Sequence, residues 1–289
     1  MTNTSPRPSR PIEPAIVAVL RAVHAAAETQ QLEFFVAGAL ARDIWLDYIY
    51  RVPVARLTRD IDIGIHVSSW AEFEALRKRV IADAGFVPDA HRLHRLRMPL
   101  SDVPLDIVPF GGVEDRQRRI AWPPDGTTVM SLLGFAEAFR AAPLLELAPR
   151  LPVRVTSLAG LAALKLLSWS ERGYETDRDA VDFWLILRNY GDPCQRERLL
   201  LEEDETLAAE GYDVLRAGAR LLGVDMGRIL GGQGAALLSR MIAAELDDTR
   251  SQRLLNVALK QTAAEDDYTQ FREQLLAVVR GLTQKTRVP

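Results

Sequence analysis

The stretch that most constrains this chain is residues 58–65, TRDIDIGI, in which two aspartates alternate with isoleucines. Such alternation predicts a β-strand, because successive side chains of a strand point to opposite faces of its sheet. Asp60 and Asp62 then share one face, while the isoleucines take the other face and can enter a core. A fold for this sequence must therefore hold two carboxylates side by side.

Two carboxylates this close repel each other unless a cation lies between them. Acidic oxygen ligands suit Mg²⁺, which uses one or two carboxylates and shares its coordination shell with phosphates. A third candidate, Asp106, lies inside residues 103–110, VPLDIVPF, another apolar strand. Three strand-borne aspartates can hold two metal ions about 4 Å apart, as in-line phosphoryl transfer requires. We therefore predict a site for Mg²⁺ or Mn²⁺ at Asp60, Asp62 and Asp106.

An alternative reading of the acidic strand is the solvated face of an edge strand. The preceding residues favour a site, because residues 34–43, FFVAGALARD, combine an aromatic strand, a turn at Gly38 and a helix start. A glycine at such a turn lets backbone N–H groups approach a phosphate at the helix N-terminus. The ordered set of strand, glycine turn, helix and acidic strand carries more weight than any one of its parts.

The composition is that of an ordinary globular protein, with 289 residues, 48% of them hydrophobic and 26% charged. The formal net charge of −3 is not that of a dedicated nucleic-acid binder. Two local clusters of arginines are present: Arg92, Arg95 and Arg97, and Arg116, Arg118 and Arg119. They fit either an acceptor-binding surface or solvated strands and loops.

Several classes of site are excluded by residue counts. A single cysteine, Cys194, excludes an intramolecular disulfide and a cysteine-based zinc site. Four scattered histidines argue against a histidine-based metal site.

The chain shows no signal peptide and no apolar run of about 18 residues. We therefore expect a cytoplasmic protein without membrane contact.

The order of patterns predicts three segments. Residues 1–11, rich in Pro, Ser, Thr and Arg, are predicted to form a disordered tail. Residues 12–150 alternate between strand and helix patterns and are predicted to form a mixed sheet domain. Residues 151–289 become rich in Leu, Ala, Glu and Arg and predict a helical domain, with a helix–helix turn at the glycines of residues 231–234. We expect an active site in a cleft between the two domains.

One basic and two acidic residues of the helical segment leave two interpretations open. Lys165 lies among leucines of a predicted helix and is either a lysine whose ammonium group reaches solvent or a cation for phosphate. Asp179 and Asp182 are three residues apart and share a helix face. They are either exposed acids or ion-pair partners of Arg178 or Arg172.

Together, these stretches resemble the nucleotidyltransferase superfamily with its polymerase-β-like fold. More narrowly they resemble the AbiEii group, the toxins of type IV toxin–antitoxin systems. The residues that carry the resemblance are the glycine turn before Arg42, residues 58–62, residues 106–112 (DIVPFGG), Lys165 and Arg178-Asp179-x-x-Asp182. The chain departs from the pattern at the turn, where Ala37-Gly38-Ala39 replaces the usual Gly-Gly or Gly-Ser. Contacts to a triphosphate there would be mainly through the backbone.

The resemblance implies an α+β fold: a polymerase-β-like mixed sheet with flanking helices, followed by a helical C-terminal domain. It also implies a Mg²⁺-dependent enzyme that transfers a nucleoside monophosphate from an NTP to an acceptor hydroxyl. The acceptor would be an RNA, such as a tRNA 3′ end, or a protein. A cognate antitoxin protein would be a further partner.

The resemblance also assigns roles to individual residues. Asp60, Asp62 and Asp106 would be catalytic and bind metal. Lys165 would be catalytic and bind the nucleotide, with Asp179 and Asp182 as catalytic-site residues that orient it. The nucleotide-binding set would be Gly38, Arg42, Arg59 and Lys165.

Two other functions remain open at this point. One is a small-molecule nucleotidyltransferase, for example one that modifies an antibiotic, and the absence of a strongly basic composition keeps this alternative open. The other is a catalytically silent nucleotide-binding interaction protein, which the presence of all three acids argues against.

Overall fold

The computed structural model describes residues 6–54, 58, 60–90, 92–99, 103–247, 249, 252–260 and 267–284. The chain divides into two compact units, Met1–Ser157 and Leu158–Pro289. The first unit contains a mixed sheet with flanking helices, and the described part of the second is helical. The predicted fold class is therefore confirmed. None of the helices in the described ranges is long and apolar enough to cross a lipid bilayer.

The elements of the first unit follow one another as strands and helices around one sheet. In chain order they are α1 (Pro14–Thr29), β1 (Phe34–Ala37), α2 (Gly38–Asp43), a π-helical segment (Ile44–Ile49), β2 (Ile61–Val67), α3 (Trp70–Ala84), β3 (Val87–Pro88), β4 (Arg95–Met98), β5 (Val103–Gly111), β6 (Arg119–Ala121), β7 (Val129–Ser131), α4 (Phe135–Arg140), β8 (Leu144–Ala148) and β9 (Leu151–Val155).

The strand order of the main sheet is β3-β4-β5-β2-β1-β9-β8, and β6 pairs with β7 separately. Strand β2 is central, with β5 parallel on one side and β1 antiparallel on the other. Ile61, Ile63 and Ile65 of β2 are buried, as their alternation with polar residues predicts. Strand β2 is paired on both sides and its isoleucines are buried. These contacts fix its register, since a slip of one residue would move the isoleucines to the opposite face of the sheet.

The ends of the predicted sheet domain differ from the sequence-based boundaries. At the start, residues 1–5 lie outside the described residues, whereas the N–H of Ser9 donates to the carbonyl of Tyr48 (2.6 Å) and Arg10 pairs with Asp47. At the other end, β9 pairs in parallel with β1, and the hydroxyl of Thr156 donates to the carbonyl of Val36 (2.9 Å). The first unit therefore extends to Ser157 rather than ending at residue 150.

The second unit is built of helices throughout its described residues. They are α5 (Leu158–Arg172), α6 (Arg178–Asn189), a π-helical turn (Tyr190–Cys194), α7 (Arg196–Leu201), α8 (Asp204–Ala209), α9 (Val214–Glu245), α10 (Arg253–Leu259) and α11 (Asp267–Thr283). Helix α9 is interrupted at Gly231, whose φ of 70° and ψ of 177° are not helical. The predicted break at the glycines is therefore confirmed.

Helices α9 and α11 pack with their backbones in close approach. A β-carbon on Gly281 of α11 would lie 2.0 Å from the carbonyl oxygen of Arg220 and 2.8 Å from the amide nitrogen of Val224, both in α9. Backbone atoms cannot swing aside as a flexible side chain can. The absence of a side chain at this position therefore sets the spacing of the two helices.

We expect Gly281→Ala to lower the free energy of unfolding by about 1–3 kcal/mol, the usual cost of overpacking. Gly232→Ala is the matched control, because nothing lies within 4 Å of a β-carbon there. Its expected effect is neutral or stabilising by up to about 1 kcal/mol, since alanine favours helix over glycine. Urea unfolding of both variants checks this, and equal midpoints would contradict the close helix packing.

Candidate active site

Four adjacent strands place one residue each in a single row across the sheet. Ala37 of β1 is opposite Asp62 of β2, Asp62 is opposite Asp106 of β5, and Asp106 is opposite Arg95 of β4. Residues in register on neighbouring strands project from the same face of a sheet. Two of the three predicted acidic residues are therefore direct neighbours, and an arginine completes the row.

The third acid, Asp60, lies just before β2, two residues from Asp62. Its side chain is 51% exposed, and its Oδ2 is 3.8 Å from Nη2 of Arg95. Its backbone N–H donates to the hydroxyl of Thr58 (3.2 Å). The structure thus gathers Asp60, Asp62 and Asp106 on one side of the sheet, with Asp60 nearest to solvent.

Arg95 belongs to the first arginine cluster, and the sequence did not reveal its pairing with an aspartate of the candidate site. Its side chain is 10% exposed, and Nε and Nη2 donate to Oδ1 and Oδ2 of Asp106, both at 2.6 Å. Hydrogen bonding to Asp106 raises the pKa of the guanidinium despite the opposing effect of burial, and the charges of Asp60 and Asp62 add to this. Arg95 is therefore a bound cation among the three carboxylates.

The arginine clusters are not free basic surfaces, because most of their members pair with acids. Besides Arg95, the pairs are Arg97 with Asp89, Arg118 with Glu114 and Glu137, and Arg119 with Asp115. These contacts neutralise much of the charge that an acceptor-binding surface would need. The solvated alternative also fails for Arg95, which is buried.

Gly38 begins α2 at the position where the sequence predicted a glycine turn. Its φ of +60° lies in the left-handed region, and a β-carbon there would lie 2.0 Å from Oδ2 of Asp62. Any other residue would be strained in this conformation and would collide with the carboxylate. The turn and the acidic strand are therefore in direct contact, while nucleotide binding by Gly38 stays a prediction.

The other two predicted nucleotide-binding arginines are placed differently. Arg42 is buried, and its Nε donates to Oδ1 of Asp43 (2.8 Å). Oδ2 of Asp43 accepts the N–H of Thr58 (2.7 Å), which ties the start of the acidic stretch to α2. Arg59 lies outside the described residues. The nucleotide contacts of both arginines stay predictions.

In the second unit, Lys165 is held between two carboxylates. Its Nζ is 2.6 Å from Oδ2 of Asp182 and 3.1 Å from Oδ1 of Asp179, and its side chain is 12% exposed. Arg172 donates to both oxygens of Asp179, at 2.7 Å and 3.1 Å. The interpretation of Lys165 as an exposed lysine is therefore wrong, and so is that of Asp179 and Asp182 as exposed acids.

The charges of this cluster shift its protonation equilibria. Burial alone would lower the pKa of Lys165, but Asp182 and Asp179 more than offset it and raise that pKa. For Asp179, burial would raise the pKa, but hydrogen bonds from Arg172 and the charge of Lys165 lower it. The ammonium group is therefore charged and fixed in place, as an oriented cation requires.

The acidic row, which consists of Asp60, Asp62 and Asp106, lies beside the guanidinium of Arg95. Among the described residues, no three His, Cys, Asp or Glu side chains gather closely enough to hold a metal ion. The guanidinium of Arg95 donates to both oxygens of Asp106. The donor chemistry nevertheless fits a hard divalent cation, since all three side chains are carboxylates and one of them, Asp106, already pairs with a cation.

Comparison with known proteins identifies one family. A family model described as "Nucleotidyl transferase AbiEii toxin, Type IV TA system" matches residues 18–280. Among solved structures, the chain is similar to the antibiotic-resistance factor ANT(2'')-Ia in solution, at 17% identity over 70% of this chain and 98% of that chain, with a TM-score of 0.39. It is also similar to an antigenic nucleotidyltransferase-like protein from Paracoccidioides brasiliensis, at 15% identity, 74% and 95% coverage and a TM-score of 0.41. A search of the curated proteins found no match.

The lowered pKa of Asp179 predicts a defined pH dependence of stability. Its pairing stabilises the fold fully above the unfolded pKa near 3.8 and is lost as pH falls through the lower folded value. We expect Asp179→Asn to cost about 3 kcal/mol at pH 7, because Lys165 and Arg172 lose a buried partner. The difference in free energy of unfolding between Asp179→Asn and wild type should become smaller below pH 3.8.

Urea unfolding at pH 7 and about pH 3 measures this difference. Asp177→Asn is the matched control, because Asp177 pairs with Lys260 at an exposed site. Its expected cost is about 0–1 kcal/mol. A deficit of Asp179→Asn that persists unchanged in acid would show that the carboxylate charge is not what stabilises the cluster.

Proposed function

The chain belongs to the AbiEii family of nucleotidyl transferase toxins of type IV toxin–antitoxin systems, and from this premise we propose its reaction in detail. It is a nucleotidyltransferase that moves a nucleoside monophosphate from an NTP to a hydroxyl of a host macromolecule, an RNA such as a tRNA 3′ end or a protein. Asp60, Asp62 and Asp106 bind Mg²⁺ or Mn²⁺. A cognate antitoxin is the regulatory partner of this enzyme. The reaction takes place in the cytoplasm, because the substrates of the enzyme are found there.

The observation that carries the proposal is the register of Asp62 with Asp106, with Asp60 two residues away. This arrangement supplies only carboxylate oxygens, which suit Mg²⁺ alongside phosphate oxygens. A divalent ion held there would neutralise the triphosphate and favour the displacement at phosphorus. The half-exposed Asp60 leaves this face of the sheet open to a charged substrate.

In the proposed reaction, an acceptor oxygen forms a bond to the α-phosphorus as the bond from that phosphorus to the bridging oxygen breaks. Pyrophosphate leaves, and the hydroxyl proton passes to a carboxylate oxygen of Asp106. Backbone N–H groups at Gly38 bind phosphate oxygens. The rate enhancement comes mainly from positioning and charge stabilisation.

Lys165 provides a further cation for phosphate, and Asp179 and Asp182 orient it. The contacts that support this role are the two carboxylates that hold the ammonium group within 3.1 Å. Replacement of Lys165 by alanine would leave two buried carboxylates facing each other. A loss of activity in that variant would therefore not distinguish a loss of catalysis from a loss of folding. The acidic row offers a cleaner test.

We expect Asp60→Ala to lower nucleotide transfer by at least about 100-fold, as loss of one electrostatic contact to a transition state does. Its side chain is 51% exposed and lies outside the strand, so the fold should persist. The matched control is Asp115→Ala, an exposed carboxylate paired with Arg119. The assay follows labelled NTPs with the purified chain, with total RNA added or omitted, beside a thermal melt.

The same assay separates the possible acceptors. Label on RNA or on the protein itself supports the proposed macromolecular acceptor. Label only on an added antibiotic hydroxyl would replace it by a small-molecule acceptor. Near-wild-type transfer by Asp60→Ala would reject the metal assignment, and no transfer to any acceptor would leave a nucleotide-binding protein.

Expression of the wild-type chain should slow the growth of a bacterial host, whereas the Asp60→Ala variant should not. The reason is that a transferase acting on host molecules is harmful only while its chemistry works. Growth curves after induction measure this, with and without co-expression of the neighbouring gene as candidate antitoxin. Slow growth that persists with Asp60→Ala would point to harm by binding rather than by transfer.

A further inference from the structure

The guanidinium of Arg95 lies where two proposed metal ligands face each other. It donates to both oxygens of Asp106 at 2.6 Å, and Nη2 is also 3.8 Å from Asp60. The ion pair is mostly shielded from water, with side-chain exposures of 10% for Arg95 and 13% for Asp106. A fork-shaped guanidinium with two parallel hydrogen bonds occupies the same oxygen lone pairs that a metal ion needs.

We propose that Arg95 is a built-in counter-ion that competes with the divalent cation for Asp106. The inference rests on the proposed metal-dependent function. Asp106 becomes a metal ligand when Arg95 releases it, and the released guanidinium takes triphosphate oxygens as its new acceptors. Arg95 is therefore a positioning residue that neutralises the acidic row until substrate and metal arrive.

Two physical arguments support the exchange. Three carboxylates on one side of a sheet repel one another, so a resident cation stabilises the row. Once a divalent ion joins the row, the guanidinium becomes a like charge beside it, and its pairing with Asp106 weakens. Phosphate oxygens accept the same bidentate geometry as a carboxylate, so the exchange leaves no donor of Arg95 unsatisfied.

Arg97, on the same strand, differs from Arg95 in its carboxylate partner and in its exposure to solvent. Arg97 lies two residues along β4 and therefore on the same face, but its Nε pairs with Asp89 at 3.4 Å. Its side chain is 41% exposed. Arg97→Gln thus removes the same charge from the same strand at an ion pair with Asp89.

The first measurement is Mn²⁺ binding to the full chain by calorimetry. We expect Arg95→Gln to bind Mn²⁺ at least about tenfold tighter than wild type, because a competing positive charge is gone. Arg97→Gln should bind as wild type does. Equal or weaker binding by Arg95→Gln would overturn the proposal, since a cooperating or merely structural arginine gives that result.

Thermal melts provide the second measurement. Without divalent ions, Arg95→Gln should melt below wild type, because the carboxylates have lost their counter-ion. Saturating Mn²⁺ should then raise its melting temperature by more than it raises that of wild type. A lower melting temperature that Mn²⁺ does not preferentially restore would mean that Arg95 only supports packing, and would overturn the competition.

An experiment on the wild-type chain covers the case in which Arg95→Gln does not fold. In a chain labelled with ¹⁵N-arginine, the Nε–H resonance of Arg95 is identified as the one missing from Arg95→Lys, and it should be protected from exchange. Saturating Mg²⁺ with an NTP should shift the frequency of this resonance, because its acceptor changes from a carboxylate to a phosphate, and an unchanged frequency while Mg²⁺ binds would overturn the proposal. Failure of wild type and Arg95→Gln alike to bind Mn²⁺ would instead reject the metal site of the proposed function, and the competition with it.

Discussion

Repulsion among carboxylates is the constraint on which the first unit depends. The register of β2 with β5 sets Asp62 beside Asp106, and Asp60 follows two residues away. Such a row costs free energy unless a positive charge accompanies it. Arg95 supplies that charge from β4, so the strand next to β5 takes part in the electrostatics of the site as well as in the sheet. The row therefore folds with part of its charge compensated by an arginine of the same sheet.

The second unit has the opposite arrangement of charges. There, one ammonium group is buried and two aspartates are its counter-charges, with Arg172 sharing Asp179. The contacts tie α5 to α6, so the cluster also joins two helices. Each unit thus holds a charged residue that could not be buried alone.

The local sequence pattern predicted those elements whose hydrophobic period and flanking residues indicate the same structure. The alternation in residues 61–65 gave β2, and the aromatic stretch before Gly38 gave β1 and the turn. The pairing of Arg95 with Asp106 was beyond such reasoning, because it depends on the antiparallel register of β4 with β5. An arginine in a short strand looks the same in sequence whether it faces solvent or a buried carboxylate. The burial of Lys165 depends likewise on how α6 packs against α5, which no spacing within α5 reveals.

The close approach of Gly38 to Asp62 limits which sequences this fold accepts. A β-carbon on residue 38 would lie 2.0 Å from the carboxylate oxygen of Asp62, and the backbone there has a φ of +60°. Any larger residue must therefore displace the carboxylate and also hold a left-handed conformation. A substitution at the turn thus changes the position of an acidic side chain on β2, so these two stretches of the sequence cannot vary independently.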